Sequence, residues 1–341
     1  MLRCTLFLSC LVLCCSSASL ADEPQELNVQ VRSSIERGLV PILAAVERYP
    51  SHRKCFSCHH QTLPMLAIRS VREAGLPGDF DKPFEDSWTL TAKAFENRLQ
   101  TLQSGGRIGG DSATVSHALW SAEITETRNT ELTESFLAYL IQKQHADGYW
   151  KPQSDRPPLE GTKLSTTALV IALLEVQSET EERSKALQQA RTWIDSEQPQ
   201  DQQERAFLFW HLSRTKTQSA ANAGKWETLL DAIRKKQRSD GGWSQLDDEA
   251  MPSDAYATGQ TLYVLLTGGI PREDPMIRSG VEFLVKSQQE DGSWFVQTRS
   301  KPVQPWYDNG DPHGKSQFIS TPASCWAVAA LAKSLPGPSS E

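Results

Sequence analysis

Three segments of this chain share the form Gln-x-x-Asp-Gly-x-Trp: Gln144-His-Ala-Asp147-Gly148-Tyr-Trp150, Gln237-Arg-Ser-Asp240-Gly241-Gly-Trp243 and Gln288-Gln-Glu-Asp291-Gly292-Ser-Trp294. A motif recurring at such separations ties the fold to stacked similar units, because each unit buries an apolar face only against its neighbour. Every copy follows a helical apolar pattern: Leu137, Tyr139 and Leu140 before the first, Leu229, Leu230 and Ile233 before the second, Ile277, Val281 and Leu284 before the third. The residue types explain the local structure. Gln near a helix C-terminus can satisfy orphan carbonyl groups, Asp and Gly make a turn that needs positive φ, and Trp anchors the outgoing loop on the helices just left. The copies are spaced by 93 and 51 residues, so the longer gap should hold a degenerate copy; Gln198-Pro-Gln-Asp201 stands there, and Gln103-Ser-Gly105-Gly106 marks an earlier one.

After each motif comes a densely apolar helix rich in Ala and Thr, as in Thr166 to Leu174, Ala257 to Leu266 and Ala323 to Leu331. Such helices suit an inner layer packed on all sides, whereas the motif-ending helices carry more Lys, Glu and Arg and read as outer ones. The period is a helix pair of about 40 to 55 residues. The expected fold is all-α with about six helix pairs, closed into a ring or left as an open solenoid. Inner helices are predicted near 113–121, 164–176, 204–213, 255–268 and 321–334, with the helices after Cys58 completing the set.

The repeated motif resembles the QW-type repeats of squalene-hopene and other terpenoid cyclases, a superfamily that shares its α/α toroid with protein prenyltransferase β subunits. The resemblance covers about residues 90–334 and implies a toroid repeat domain over 91–334. Residues 22–90 would be N-terminal helices packed onto it, and 335–341 a disordered tail. Within the superfamily the chain looks closest to an exported bacterial group that places a Cys-x-x-Cys-His-His-Gln segment before the repeats, here Cys55-Phe-Ser-Cys58-His59-His60-Gln61. Asp254-Ala-Tyr-Ala-Thr-Gly-Gln260 and Pro312-His-Gly-Lys-Ser-Gln-Phe-Ile-Ser320 also look like that group.

Activity does not follow from the repeats. A squalene-hopene-type cyclase protonates an alkene with a strong buried acid from an Asp-x-Asp-Asp segment, and this chain has none. Asp247-Asp-Glu249 reads as a solvated turn. Asp254 precedes an inner helix, which suits an N-cap or, alternatively, a pocket-facing catalytic acid. A full triterpene cyclase is also much longer, with two α domains. The prenyltransferase zinc site, an Asp, a Cys and a His in their own contexts, is not reproduced by Cys325 with His313 or His211.

Residues 1–21 read as a secretory signal peptide: Arg3, an almost uncharged stretch to Leu20, and a small-x-small site ending at Ala21. No later segment approaches about 20 uninterrupted apolar residues, so no transmembrane segment is expected after cleavage. The expected location is across the inner membrane, in the periplasm. Four of the seven cysteines leave with the signal, and Cys55, Cys58 and Cys325 remain. The formal net charge of −7, without a basic cluster, makes nucleic acid and anionic membranes poor partners.

Cys55-x-x-Cys58-His59 is the pattern of covalent c-type haem attachment: two thiols for the porphyrin vinyl groups and an imidazole for the proximal side of the iron. A disulfide, or a zinc site adding His59 or His60 and one distant His, are the alternatives, as is no cofactor. The distal ligand would be His313, His117, Met65 or Met251; His60 is turned about 100° from His59 on a helix. The leading function is thus an exported haem-binding toroid in electron transfer or oxidation, with a periplasmic redox partner. The alternatives are a cyclase-related enzyme on an apolar small molecule, or a non-enzymatic binding or assembly module. Carboxylates and aromatics converging in the central cavity would favour the enzyme, a filled cavity the module, and a flat site beside His59 the haem.

Overall fold

The computed structural model describes residues 23–154, 156–160, 162–301 and 305–337; the expected signal peptide and residues 338–341 of the expected tail lie outside them. Thirteen α-helices occur among the described residues. In chain order they are α1 (Glu23–His52), α2 (Thr62–Glu73), α3 (Asp81–Phe95), α4 (Leu99–Gln103), α5 (Asp111–Ile124), α6 (Glu131–Lys143) and α7 (Lys163–Leu174). They continue with α8 (Glu181–Ile194), α9 (Gln202–Thr215), α10 (Ala220–Lys236), α11 (Ala255–Thr267), α12 (Pro275–Ser287) and α13 (Gln317–Ser334). No strand occurs among the described residues, only two isolated bridges.

Six helices, α2, α5, α7, α9, α11 and α13, form a closed inner ring in which each packs on the next and α13 returns to α2. The sequence explains why these are inner. Every residue of α7 from Leu164 to Leu174 is buried, and α13 is buried nearly all round, so these helices can sit only inside a ring of others. The expected all-α toroid of six pairs is therefore present, with each expected inner helix within four residues of its place. The outer layer is α1, α3 with α4, α6, α8, α10 and α12, so residues 23–90 supply two outer helices and one inner stave of the ring itself.

The three motif copies make the same junction. Gln144 Nε2 donates to the carbonyls of Gly148 and, on the next outer helix, Ala186, both within 2.9 Å. Gln237 repeats this on Gly241 and Met276, and Gln288 on Gly292 and Ser34. The glutamine thus bridges to the following helix rather than capping its own. Capping falls to the tryptophans: Trp150, Trp243 and Trp294 each donate Nε1–H to a carbonyl in the last turn of the preceding helix, those of Leu140, Ile233 and Leu284. Each indole is essentially fully buried, and its backbone N–H goes to a hydroxyl of the next inner helix: Thr167, Thr258 or Ser324.

The third junction closes the ring, because its partner helix is α1, at the other end of the chain. Gly292 has φ +86°, and a Cβ there would lie 2.3 Å from the Arg37 carbonyl oxygen; Gly148 and Gly241 meet Gln189 and Ser279 in the same way. Gly292→Ala should therefore lower stability by about 2 kcal/mol or more, read by urea unfolding. Gly224→Ala, exposed within α10 with open space at its Cβ, should instead raise it by about 0.5–1 kcal/mol. Equal effects at both positions would contradict the closure.

Candidate functional site

All six inner helices run in the same direction, so their N-termini and the six outer-to-inner connections gather at one mouth of the toroid. The Cys55–Gln61 segment is the α1-to-α2 connection, the place that the Gln-x-x-Asp-Gly-x-Trp motif takes in three other pairs. Its fold is local. The amides of His60 and Gln61 both donate to the Ser57 carbonyl, the Leu63 amide to Cys58, and the Gln61 side chain accepts from the Ser57 amide at 2.6 Å.

This turn lines a solvent-open cavity of about 140 Å³. Cys55, Cys58 and His59 form one wall; His117 of α5 faces in; Arg156, Glu160, Lys301 and Lys315 come from the two longest connections; and Phe56, Leu159 and Phe318 add apolar surface. Cys55 is exposed at the rim, its Sγ 3.3 Å from Tyr49 Oη. Cys58 Sγ lies 3.8 Å from His59 Nδ1, and burial pushes this thiol up to about 11 although the Arg156 charge opposes the shift. Burial, followed by the nearby Arg156 and His117, lowers the pKa of His59 to about 3. Burial also lowers His117, against its bond to the Ala113 carbonyl at 2.8 Å. Both imidazoles are thus neutral at physiological pH.

His60 stands behind this wall, fully buried and stacked on Tyr49 at 4.4 Å. Its Nε2 accepts from Asn309 Nδ2 at 2.8 Å, which puts the proton on Nδ1, facing Ser57 Oγ at 3.2 Å. The remaining candidates go elsewhere. His313 Nε2 is 2.7 Å from Ser293 Oγ in the third motif, and it does not line the cavity. Met65 is buried in the core on α2, Met251 lies in the α10-to-α11 connection, and Cys325 is a buried free thiol of α13. Asp254 caps α11, accepting from the Ala257 amide and from Gln245 at 2.9 Å each; burial raises its pKa to about 6, but it is not part of the cavity wall. The Asp247–Glu249 turn is exposed, as expected, with Asp247 paired to Arg205 and Lys236. Among the described residues no three His, Cys, Asp or Glu side chains are grouped as metal ligands, and the four-ligand zinc site is not formed: Cys55 is on Tyr49 and His60 on Asn309.

Arg156, Lys301 and Asn309 were not among the residues that the sequence singled out, and Lys315 stood in the Pro312–Ser320 segment without a role. The available signal was connection length: the chain runs on well beyond Trp150 and Trp294 before the next inner helix starts. Deeper in the ring the space is filled by aromatic rings. Trp120 packs against Trp210 and Trp326 with centroids 6.0 Å apart, and Tyr263 against Trp326 at 5.5 Å. A void of about 20 Å³ shares His117 and Leu159 with the larger cavity and is also lined by Trp326.

No protein-family model matches the chain, and no curated protein matches it. Solved structures do. The type II terpene cyclase MstE from Scytonema, in complex with its substrate geranylgeranyl dihydroxybenzoate, superposes with TM-score 0.62 at 16% identity, over 92% of this chain and 99% of that one. A protein from Actinoplanes gives 0.57 and 16% over 90% and 100%, and an unsaturated glucuronyl hydrolase from a Streptococcus 0.55 and 10% over 90% and 91%. At these identities the likeness is one of fold, an α/α toroid.

Burial lowers His211 as well, and the four depressed histidines, His59, His60, His117 and His211, set a pH dependence. The unfolded chain takes up their protons near the ordinary pKa of about 6.5 while the folded chain does not, so stability is full above that pH and falls below it. The raised carboxyl of Asp254 acts in the opposite sense below about pH 6, and burial raises Asp311 in the same direction. His60→Gln removes one proton-linked loss, so its unfolding free energy should drop by about 1.4 kcal/mol less than that of the wild type between about pH 7.5 and 5.5. Identical slopes in urea titrations would show that His60 is not held neutral.

Proposed function

We propose that this chain is an exported protein whose toroid mouth holds a c-type haem, for electron transfer with a periplasmic partner or for haem-assisted oxidation. The observation that carries this reading is that Cys55, Cys58 and His59 line one open cavity together with a second imidazole, that of His117. The donor set fits: both cysteines are free, and neutral imidazoles are the form that binds iron. Lys301 and Lys315, which make no ion pair among the described residues, suit the two carboxylates of a porphyrin, and Phe56 and Phe318 suit its apolar faces. The cavity, about 140 Å³, is smaller than the roughly 300 Å³ at which drug-sized ligand sites begin, so a porphyrin attached at Cys55 and Cys58 would lie mostly over the mouth rather than inside it. The resemblance to the exported group with the Cys-x-x-Cys-His-His segment supports the same reading.

A cyclase-like activity on an apolar substrate stands second, supported by the likeness to MstE. The aromatic filling of the ring, the capping role of Asp254 and the pairing of Glu160 with Arg156 weigh against it, because polyene protonation needs both space and a free acid. Mature protein made in a host with a c-type maturation system should be heavier by one haem and show a Soret band with reduced α and β bands. Cys58→Ala should keep a single thioether, while His59→Ala should lose proximal ligation. Apo-mass protein carrying a Cys55–Cys58 disulfide, or one equivalent of zinc, would overturn the proposal.

A further inference from the structure

We infer that the mouth cavity is a binding site for a small neutral aromatic alcohol of the phenol class, one ring carrying one hydroxyl group, seated with that hydroxyl on His117. The inference goes beyond the haem reading and does not depend on it, because a porphyrin lying over the mouth would close the cavity from outside without filling it. Size comes first. The cavity holds about 140 Å³, close to the roughly 150 Å³ of an apolar cavity that takes up benzene. Part of its wall is apolar: Phe56, Leu159, Phe318 and Ile319. The two phenyl rings are held by neighbours, Phe56 tilted on Phe95 at 5.8 Å and Phe318 edge-on to His59 at 5.7 Å, so they offer fixed surfaces to another ring.

The polar end is set by His117. On α5 it stands between the buried Ser116 and Ala118 yet keeps accessible surface, and on an inner helix that surface opens into the cavities it lines. Its Nδ1–H donates to the Ala113 carbonyl at 2.8 Å, which leaves the lone pair on Nε2, and Nε2 has no hydrogen-bond partner among the described residues. The adjoining void of about 20 Å³ shares His117 and Leu159 with the cavity. Its lining includes Trp326, 3% exposed, whose Nε1–H is buried without a hydrogen-bond partner. An acceptor and a donor at one end are what a single hydroxyl satisfies, the N–H directly or through one water, for which that void has room. Charge narrows the class further. A cationic ligand would meet Lys301, Lys315 and the inner-helix N-termini, while Glu160 is already paired with Arg156. A carboxylate has only acceptors, so it would face the Nε2 lone pair and stay at the rim with the exposed lysines. A purely apolar ring would leave both polar groups unsatisfied.

The test uses the full mature chain as isolated, with calorimetric titration of phenol, toluene and benzoate as probes. Phenol should bind one per chain. Toluene, of nearly the same shape but without the donor, should bind about three- to tenfold more weakly, and benzoate should also bind more weakly than phenol. His117→Leu should bring phenol down to the level of toluene, whereas Phe318→Ala should weaken both by a similar factor. The ratio of phenol to toluene is read on the wild type, so it decides the matter even if His117→Leu fails to fold. Toluene bound as tightly as phenol, benzoate bound more tightly than phenol, or no phenol bound at millimolar concentration would overturn the inference. Folded His117→Leu protein that keeps the preference for phenol would do the same. The mass of the same sample reports haem separately, so failure of the haem reading and failure of this inference are told apart.

Discussion

The structure depends on one junction made three times: a glutamine amide shared between its own turn and the next outer helix, a glycine pressed against that helix, and an indole closing the helix it leaves. Buried amides and indoles of this kind are costly when unpartnered, so each junction is satisfied only if the neighbouring pair is in place. The partners are spaced alike on each receiving helix: Ala186 and Gln189, Met276 and Ser279, Ser34 and Arg37. Because the last receiving helix is α1, a local motif imposes a global closure, and α13 then meets α2 on the inside. Stability is shared around the ring, and no pair is a free end.

Closure has a consequence for the mouth. Six inner-helix N-termini point the same way, each bringing roughly half a positive charge, and Lys301 and Lys315 add to them, whereas Arg156 is paired with Glu160, in a chain that is acidic overall. Asp201 and Asp254 offset part of this at α9 and α11 by capping, and Asp111 begins α5. The Cys55–His59 connection faces the remaining positive field. That field adds to burial in discouraging protonated imidazoles at the mouth. The floor beneath it carries the packed indoles of Trp120, Trp210 and Trp326 beside polar side chains such as Ser116, Gln203 and Gln260.

Much of this was legible in the sequence. The motif and the Ala-rich helices after it placed the inner ring, because a helix apolar on all sides has only one possible environment. The Cys-x-x-Cys-His segment singled out one wall of the cavity. The roles of individual polar groups were less legible: Gln144, Gln237 and Gln288 look like C-caps until the next helix is in place, since their second acceptors lie about 40 or more residues away in sequence. His117 and His313 illustrate the same limit. Both are single histidines beside inner helices, and only the direction of each ring, toward Ala113 and the cavity or toward Ser293, separates them. Lys301, Lys315 and Asn309 carry no local signal, because they matter through a connection whose path is set by closure.

The proposed haem reading puts the chemistry at the mouth of the toroid rather than in its filled interior, on an iron held by the Cys55–His59 turn. Anomalous diffraction at the iron edge from crystals of the mature, haem-loaded protein tests this most directly. The account predicts one iron peak in the mouth, bonded to His59 Nε2, with the porphyrin edge joined to Cys55 and Cys58. An iron peak elsewhere, or crystals of the same preparation with no iron and the two thiols joined to each other, would contradict it.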